Sequence, residues 1–333
     1  MFKKLPSCLN LVGLLTLGFC VIAWNAPACA ATPTSISGCE TVSTPGNFAL
    51  TQNLTATGDC LTITASNVNI DLMGHTITGN GTGSGITGNN VQNVVINDGS
   101  ISHFATGVNL TLSTCCVADD TIQNLTVSNN TDGGIRIEGC CNTFANVTTN
   151  SNGGIGLKND DCCSTVTNVV ANNNGSDGMD LFGCCYVVEK STANGNGAVG
   201  VFATDCCTAV DDSMANNNQL NGLDLEGCCS VTANDTTNGN HHDGVFFEGC
   251  CGDDRGNNIA VDSTASNNGA NGFEFTQLRN SAANISATKN ANHGVLMTCP
   301  ATESGIAASG NGSSNLFEDT SNGVCTDLNN KAS

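Results

Sequence analysis

The sequence has few charged and few aromatic residues. Asp, Glu, Lys and Arg make up 11% of its 333 residues, and Phe, Trp and Tyr make up 4%. An ordinary globular domain has about 25% charged residues, so this composition argues against a long solvated helix or a charged disordered tail. A single Trp and a single Tyr exclude a large aromatic-rich core.

Positive charge is the scarcest of all. Nine Lys and Arg stand against 29 Asp and Glu, which gives a formal net charge of −20. Nucleic acid and anionic membrane surfaces are therefore poor partners, and we expect no nucleic acid partner, whereas cations, neutral sugars and positively charged polymers fit the charge. Asn and Gly are abundant, with 47 and 39 residues, which suits a chain that turns often and stacks short strands.

The N-terminal segment is typical of an export signal. Two lysines precede an apolar run over 11–24, which is too short to span a bilayer comfortably, and small residues end at Ala30. We expect a signal peptide over 1–30 and a secreted, periplasmic or cell-surface protein. The alternatives are a lipoprotein acylated at Cys20 or Cys29, and a buried N-terminal helix. No later stretch is apolar enough for a transmembrane helix.

A repeat dominates the rest of the chain. Cys-Cys pairs recur with a first spacing of 25 residues and then five spacings of 22, and other residue types keep the same period. The pairs lie at 115–116, 140–141, 162–163, 184–185, 206–207, 228–229 and 250–251. A glycine column precedes them at Gly134, Gly156, Gly178, Gly200, Gly222 and Gly244.

Four further columns describe each repeat. Two are apolar and lie two residues apart, so they point to the same face of a strand; Asn159 interrupts the second. The first is Ile135, Leu157, Met179, Val201, Leu223 and Val245, and the second is Ile137, Leu181, Ala203, Leu225 and Phe247. Two are asparagine columns: Asn150, Asn172, Asn194, Asn216 and Asn238, then Asn152, Asn174, Asn196, Asn218 and Asn240.

Repeats of this length indicate a solenoid. The repeats lack a helical period and a leucine framework, and they contain only short strand-like pieces separated by Gly, Asn and Asp. We therefore predict an all-β fold, a single parallel β-helix of about 13 coils that stack about 4.8 Å apart. Each column then forms a ladder, and the asparagine ladders satisfy each other's amides.

These strands and turns resemble the right-handed parallel β-helix repeats of the pectin-lyase-like superfamily. The segment Asn69-Ile-Asp-Leu-Met-Gly-His-Thr-Ile-Thr-Gly-Asn80 looks like the first coil of secreted bacterial members, and the similarity covers residues 40–320. The resemblance implies a right-handed solenoid. It is much less specific about activity, because the superfamily includes lyases, hydrolases, epimerases, phage depolymerases, proteins with no known activity and members linked to periplasmic copper handling.

The repeat weakens toward both ends. We expect an N-terminal cap over 31–60, β-helix repeats over 61–298 and a C-terminal coil or cap over 299–333. Cysteines flank both end segments, and in an exported protein these read as disulfides. The expected pairs are Cys39 with Cys60 and Cys299 with Cys325.

The seven Cys-Cys pairs leave several interpretations open. One cysteine of each pair would face inward and stack as a small apolar residue, or adjacent coils would be joined by disulfides, or each pair would form a vicinal bridge. A fourth interpretation is a soft cation such as Cu(I) held between coils. No histidine repeats with the pairs, and the Cys-x2-Cys spacing of zinc sites is absent.

Catalytic motifs of the scaffold are incomplete. The chain contains Asn130-Thr131-Asp132, Asp160-Asp161 and Arg136-Ile137-Glu138, which resemble parts of the polygalacturonase pattern. However, the acidic pair follows its strand instead of preceding it, and Gly-His-Gly is missing. The Asp-Pro-His-Asp signature of alginate epimerases is also absent. No outward threonine column keeps register, which argues against ice binding.

The residues between and after the apolar columns are expected to face outward on one sheet. Exposed phenylalanines among them would stack on sugar rings: Phe182, Phe202 and Phe246. Three carboxylates would share one Ca²⁺: Asp224, Glu226 and Glu248. A cluster of both signs is the most plausible lyase site: Arg136, Lys158, Asp160 and Asp180.

The resulting hypothesis is an exported, non-catalytic β-helix protein that binds extracellular polysaccharide or a cell-surface glycan, or serves a structural role. It rests on the shortage of basic residues, since calcium-dependent lyases use Lys or Arg as base. The alternatives are a calcium-dependent polysaccharide lyase or other carbohydrate-active enzyme, and copper binding through the Cys-Cys ladder. Ca²⁺ and copper are the candidate cofactors, and the sequence does not define an oligomeric state.

Overall fold

A computed structural model describes residues 32–112, 118–160, 163–204, 207–249 and 256–332. Within these ranges the regular elements are all β-strands, and the chain winds through about 12 turns of a parallel β-solenoid. The predicted all-β solenoid is thus confirmed. The expected signal segment lies outside the described residues. The described part of the chain contains no helix long and apolar enough to cross a membrane.

The strands are short, as expected for small coils separated by turns. The N-terminal half contains β1 (Thr34–Ile36), β2 (Glu40–Val42), β3 (Gly46–Leu50), β4 (Leu54–Thr55), β5 (Leu61–Ile63), β6 (Val68–Asp71), β7 (Thr76–Thr78), β8 (Ser84–Asn89), β9 (Val94–Ser102), β10 (Thr106–Thr111), β11 (Thr121–Ser128), β12 (Gly133–Glu138), β13 (Thr143–Thr148), β14 (Leu157–Asp160), β15 (Thr165–Thr167), β16 (Met179–Phe182) and β17 (Val187–Glu189). The C-terminal half contains β18 (Val201–Thr204), β19 (Ala209–Asp211), β20 (Leu223–Glu226), β21 (Val231–Ala233), β22 (Thr236–Asn238), β23 (Val245–Glu248), β24 (Ile259–Val261), β25 (Thr264–Ser266), β26 (Phe273–Phe275), β27 (Ser281–Ala283), β28 (Ser286–Thr288), β29 (His293–Thr298), β30 (Thr302–Ser304), β31 (Ala307–Ser309), β32 (Ser314–Asp319), β33 (Thr326–Leu328) and β34 (Lys331–Ala332).

Three parallel sheets form the walls of the solenoid. The first sheet runs β1-β3-β6-β9-β11-β13-β15-β17-β19-β21-β24-β27-β30-β33, with β4 and β7 beside it. The second sheet runs β2-β5-β8-β10-β12-β14-β16-β18-β20-β23-β26-β29-β32. The third sheet, β22-β25-β28-β31-β34, is continued upstream by single bridges from Thr148 to Thr236. Strands of the segments 31–60 and 299–333 pair in the same ladders as the central repeats.

Both predicted apolar columns lie inside the solenoid. Members of the first column are at most 2% exposed, and the second column is equally buried at Ile137, Leu181 and Leu225. In the later coils the column contains larger rings, and Phe247 stacks on Phe275 with ring centroids 4.7 Å apart. Each small coil therefore encloses a narrow core of aliphatic and aromatic side chains. A chain with few aromatic residues can fill a core of this width.

A buried asparagine ladder joins the coils at one corner. In each step the backbone N–H and the side-chain amide of one asparagine donate to the side-chain oxygen of the next; between Asn196 and Asn218 these distances are 2.9 and 3.0 Å. The same amide nitrogen also donates to a backbone carbonyl, such as Ala171 O at 3.0 Å. The ladder comprises Asn130, Asn152, Asn174, Asn196, Asn218, Asn240, Asn268, Asn290 and Asn311.

The glycine column makes room for this ladder. A Cβ built on Gly222 would lie 2.6 Å from the carbonyl oxygen of Gly244 and 2.7 Å from the amide nitrogen of Asn240. A side chain at this position would push against the backbone of the next coil and against the ladder at once. The recurring glycine therefore marks the close approach of successive coils, not merely a turn.

The asparagine that interrupts the second apolar column is part of a buried polar network. Asn159 is fully buried, and its amide nitrogen donates to Ser164 Oγ at 3.1 Å and to Tyr186 Oη at 2.8 Å. Tyr186 Oη in turn donates to the carbonyl oxygen of Asn159, and Asn142 donates to Asn159 Oδ1 at 2.9 Å. The single tyrosine of the chain thus satisfies the one polar break in that column.

Disulfides are present near both ends of the described chain. Cys39 is joined to Cys60 with a Cα–Cα distance of 4.5 Å, and Cys299 is joined to Cys325 with 5.0 Å. Each bond ties neighbouring coils close to a solenoid end, where strand edges have a partner on one side only.

We predict that the buried asparagine ladder dominates coil-to-coil stability. Asn196→Ala removes the acceptor for two donors of Asn174, and each buried donor left without a partner costs about 1–3 kcal/mol. The free energy of unfolding, measured by urea denaturation, should fall by about 3 kcal/mol or more. The control is Asn47→Ala, an exposed position that accepts one side-chain hydrogen bond, and should change it by less than about 1 kcal/mol. Equal losses in the two variants would contradict this assignment.

Candidate functional site

The outward residues of the second sheet from β12 to β26, hereafter the outer face, form two ladders in the predicted register. The first is Arg136, Lys158, Asp180, Phe202, Asp224, Phe246 and Glu274. The second is Glu138, Asp160, Phe182, Thr204, Glu226 and Glu248. Register partners lie about 4.8 Å apart, and residues two apart on one strand about 6.8 Å.

Burial within these ladders is uneven. Phe182 is 52% exposed, and Phe202 and Phe246 are partly exposed, so all three rings reach the surface. By contrast, Asp180 and Asp224 are each only 8% exposed although their side chains leave the outward side of the sheet. Lys158 contacts Asp180, and Asn221 contacts Asp224.

The cluster of both signs is assembled, but its lysine is held in the charged form. Lys158 Nζ lies 2.8 Å from Asp180 Oδ2 and 3.0 Å from Asp160 Oδ1. Burial alone would lower the pKa of Lys158, but its hydrogen bonds to Asp180 and Asp160 outweigh that effect and raise the pKa. A lysine that keeps its proton at neutral pH is poorly suited to act as a general base.

Arg136, the remaining member of this cluster, pairs with Glu138 on its own strand, and the distance between Nη2 and Oε1 is 2.5 Å. Together with Lys158 and Asp132 it lines a shallow cavity of about 260 Å³ at the start of β12. The cavity brings both cations of the outer face to one place, where a polar group of a ligand would meet them.

Asp224 is the centre of an acidic cluster. Its Oδ2 accepts a hydrogen bond from Asn221 Nδ2 at 2.8 Å, whereas its Oδ1 is buried without a hydrogen-bond partner. Burial is the main cause that raises the pKa of Asp224 to about 7, and the charges of Glu226, Glu248 and Asp243 add to it. Burial and the neighbouring Glu248 also raise the pKa of Glu226. A carboxyl group that keeps its proton near neutral pH therefore lies among other carboxylates.

Three supporting residues were not recognised in the sequence. Asn221 and Asn271 each precede an outward carboxylate by three residues and donate to it, Asn271 to Glu274 Oε2 at 2.5 Å. Asp243 is buried and accepts from the backbone of Asn271 at 2.7 Å. The sequence feature that could have identified these residues is their position. Each directly precedes the glycine of its coil, and this position is Asn or Asp in these coils.

The three carboxylates predicted to share one Ca²⁺ do not form a compact ligand set in the structure. Among the described residues, the only three potential ligand atoms that lie within 4.8 Å of one another belong to Cys299, Glu318 and Cys325. Two of those sulfurs form a disulfide, so this group does not offer thiolates. Carboxylates at Asp224, Glu226 and Glu248 would have to move before they could share one Ca²⁺.

Several cysteines of the Cys-Cys pairs are described. Of the first members, Cys140 is buried, and Cys184 and Cys228 are partly buried. The described second members are all exposed thiols: Cys141, Cys163, Cys185, Cys207 and Cys229. The remaining members, Cys115, Cys116, Cys162, Cys206, Cys250 and Cys251, lie outside the described residues.

No protein-family model and no curated protein matches the chain. Solved structures do resemble it. The A-module of the mannuronan C-5 epimerase AlgE4 of Azotobacter vinelandii superposes with a TM-score of 0.64 at 14% identity, over 82% of this chain and 88% of that module. The AlgE6 A-module of the same organism gives 0.64 at 16% identity, over 85% and 89%. The chain therefore has a right-handed parallel β-helix fold.

Four buried carboxyl groups predict that the protein is more stable in mild acid. Burial raises the pKa of Asp120, Asp224, Asp235 and Glu303 to about 7, and each has one buried oxygen without a hydrogen-bond partner. Between their ordinary values near 4 and pH 7, the native state holds protons that the unfolded chain has released. Stability contributed by these groups is therefore present below about pH 4 and is lost as pH rises to 7.

We expect the melting temperature to fall by several degrees between pH 5 and pH 8. Asp224→Asn and Asp235→Asn should flatten this dependence, because the amide does not titrate. The control is Asp132→Asn, at an exposed position, which should leave the dependence as in wild type. Melting temperatures that rise from pH 5 to pH 8 would show that these carboxyl groups are ionised in the native state.

Proposed function

We propose that this chain is an exported protein that binds a polysaccharide along the outer face. The observation that carries the proposal is the run Phe202, Asp224 and Phe246 on three consecutive coils of one ladder. Phe182 lies diagonally beside Phe202 on the preceding coil. Aromatic rings and a hydrogen-bonding carboxyl group thus alternate along the solenoid axis, parallel to the direction in which a long polymer would lie.

Each element of this run supplies a contact that sugars use. The faces of the phenylalanine rings are apolar and stack against the C–H faces of sugar rings, and carboxyl oxygens accept hydrogen bonds from hydroxyl groups. Phe202 and Phe246 are two coils, about 9.6 Å, apart. Because both are partly covered by neighbours, the rings are held in place before a ligand arrives, which reduces the entropy lost on binding.

Charge selects the type of polysaccharide. A net charge of −20 and an outer face rich in carboxylates oppose a polyanion. We therefore infer a neutral or cationic polysaccharide. The two end disulfides support an oxidising compartment outside the cytoplasm, in agreement with the export signal expected over 1–30.

The scaffold is compatible with polysaccharide chemistry. The two A-modules with this fold are mannuronan C-5 epimerases, although at such low identity the likeness concerns the fold alone. The epimerase signature Asp-Pro-His-Asp is absent from this sequence. The proposal therefore takes a class of ligand from the outer face itself and does not transfer epimerisation.

A second candidate function is acid–base catalysis on the bound polysaccharide. It is favoured by Asp224, whose pKa of about 7 suits a general acid. Glu226 lies two residues away on the same strand, and Glu248 is the exposed register partner of Glu226. Paired carboxyl groups in glycosidases are about 5–9.5 Å apart, and strand spacing places these three within that order of distance. Lys158 is not needed for this chemistry.

The binding proposal predicts that Phe202→Ala plus Phe246→Ala abolishes retention on a neutral polysaccharide matrix, while circular dichroism stays β-rich. Affinity electrophoresis through gels containing xylan, β-glucan or chitosan measures retention. Val187→Ala plus Ile259→Ala is the matched control, because both side chains are exposed on the first sheet, and it should migrate as wild type does.

If wild type is retarded by no glycan of the panel, the outer face is only a wall of the solenoid and the structural role is favoured. If the control loses retention as fully as the phenylalanine variant, the first sheet is the binding surface.

The catalytic proposal predicts release of reducing ends from the polysaccharide that the protein binds. Asp224→Asn should lower kcat by about a hundredfold or more, the usual contribution of a general acid. Asp235→Asn changes another carboxyl of similar burial and raised pKa, away from the outer face, and should keep the activity. The assay is run with Ca²⁺ and with EDTA. Ultraviolet-absorbing unsaturated products that require Ca²⁺ would indicate a lyase instead, and binding without turnover would leave only the first function.

A further inference from the structure

The second cysteines of five successive Cys-Cys pairs form a column, hereafter the thiol column, at the corner that follows the second sheet. Its members are Cys141, Cys163, Cys185, Cys207 and Cys229. All five are exposed, and all five have a left-handed backbone with φ between 65 and 67°. This conformation is uncommon for residues other than Gly, Asn and Asp. Elsewhere in the chain Asn occupies many left-handed positions, for example Asn146 and Asn168.

The repeated use of cysteine at a strained, exposed position points to a role for the thiol. A buried cysteine such as Cys140 can be explained by its packing in the interior. The exposed cysteines of the thiol column cannot be explained in this way. Backbone strain that is repeated on five coils, with the same side chain each time, is the kind of outlier from which a function is inferred.

The thiols of this column are close to one another. The corner is kept in register by backbone hydrogen bonds from Cys163 N to Cys184 O at 2.7 Å and from Cys207 N to Cys228 O at 3.0 Å. Slight desolvation and then the neighbouring Cys185 raise the pKa of the exposed Cys163 thiol, and slight desolvation and Cys229 do the same for Cys207, so each thiol lies near its equivalent on the next coil.

The spacing suits a cation held by two sulfurs. No three thiols of the described residues come within 4.8 Å of one another, so the described column does not provide a tetrahedral zinc site. Two metal–thiolate bonds of about 2.3 Å in line span about 4.6 Å, close to the coil repeat of about 4.8 Å. Thiolates select soft cations such as Cu(I), which accept two sulfur ligands in line.

We propose that the pairs Cys163 with Cys185 and Cys207 with Cys229 each bind one soft monovalent cation, of the Cu(I) and Ag(I) class, between adjacent coils. On binding, each thiol releases its proton and forms one sulfur–metal bond, so each cation displaces two protons and no electron is transferred. This site is separate from the polysaccharide-binding outer face and uses none of its residues.

The test is a titration of the reduced full-length chain with Ag(I) under argon, because Ag(I) does not oxidise thiols. Native mass spectrometry counts bound ions and a pH-stat counts released protons. Cys163→Ser should lose one ion and about two protons relative to wild type, and Cys163→Ser plus Cys207→Ser should lose two ions and about four protons. Asn146→Ser plus Asn168→Ser, at another exposed left-handed column, should bind as wild type does.

Two results would overturn the proposal. One is an ion count that is the same in wild type and in the double cysteine variant, with circular dichroism showing that both are folded. The other is a Cys163–Cys185 or Cys207–Cys229 disulfide, found by peptide mass mapping of protein isolated without reductant, which would assign the column to cross-linking.

Discussion

Coil-to-coil registration by buried asparagine is the interaction on which the rest of this structure depends. Each amide of the ladder from Asn152 to Asn311 uses its oxygen for two donors of the preceding coil and its nitrogen for two acceptors. A coil shifted by one residue would leave these buried groups without partners, at about 1–3 kcal/mol each. Registration of the coils then aligns every other column, including the outer face and the thiol column.

The ladder also tolerates irregular coils. The step from Asn240 to Asn268 spans 28 residues instead of 22, yet the hydrogen bonds are as short as elsewhere, 2.9 and 3.1 Å. Ser230 and Asn258 keep register across the same insertion at 2.9 Å. In the sequence, the additional residues fall between β23 and β24. A solenoid of this kind can therefore change its surface at a corner while its core and its registration stay the same.

The sequence was sufficient to predict what depends on period alone. A 22-residue repeat with apolar residues two apart defines which side chains point inward, and the ladders of the outer face follow from the same count. It was insufficient where a partner comes from another coil. The register partners of the buried Asp224 are Phe202 and Phe246, each 22 residues away. The hydrogen bond from Asn159 to Tyr186 joins residues 27 apart, and Asn159 therefore looked like a defect in the apolar column.

Stacking of coils repeats the chemical property of one residue along a whole column. A single carboxyl, phenylalanine or thiol on a small coil would be a weak site, but in-register repetition places equivalents about 4.8 Å apart along the axis. Like charges in such a line repel, which adds to burial in raising the pKa of Asp224. Between Asp160 and Asp180 the positive charge of Lys158 offsets this repulsion. An aromatic line escapes this penalty, and so does a thiol line while its thiols stay protonated. Repetition therefore favours ligand binding most at the columns of neutral side chains. These columns are best placed to bind an extended ligand or a row of cations.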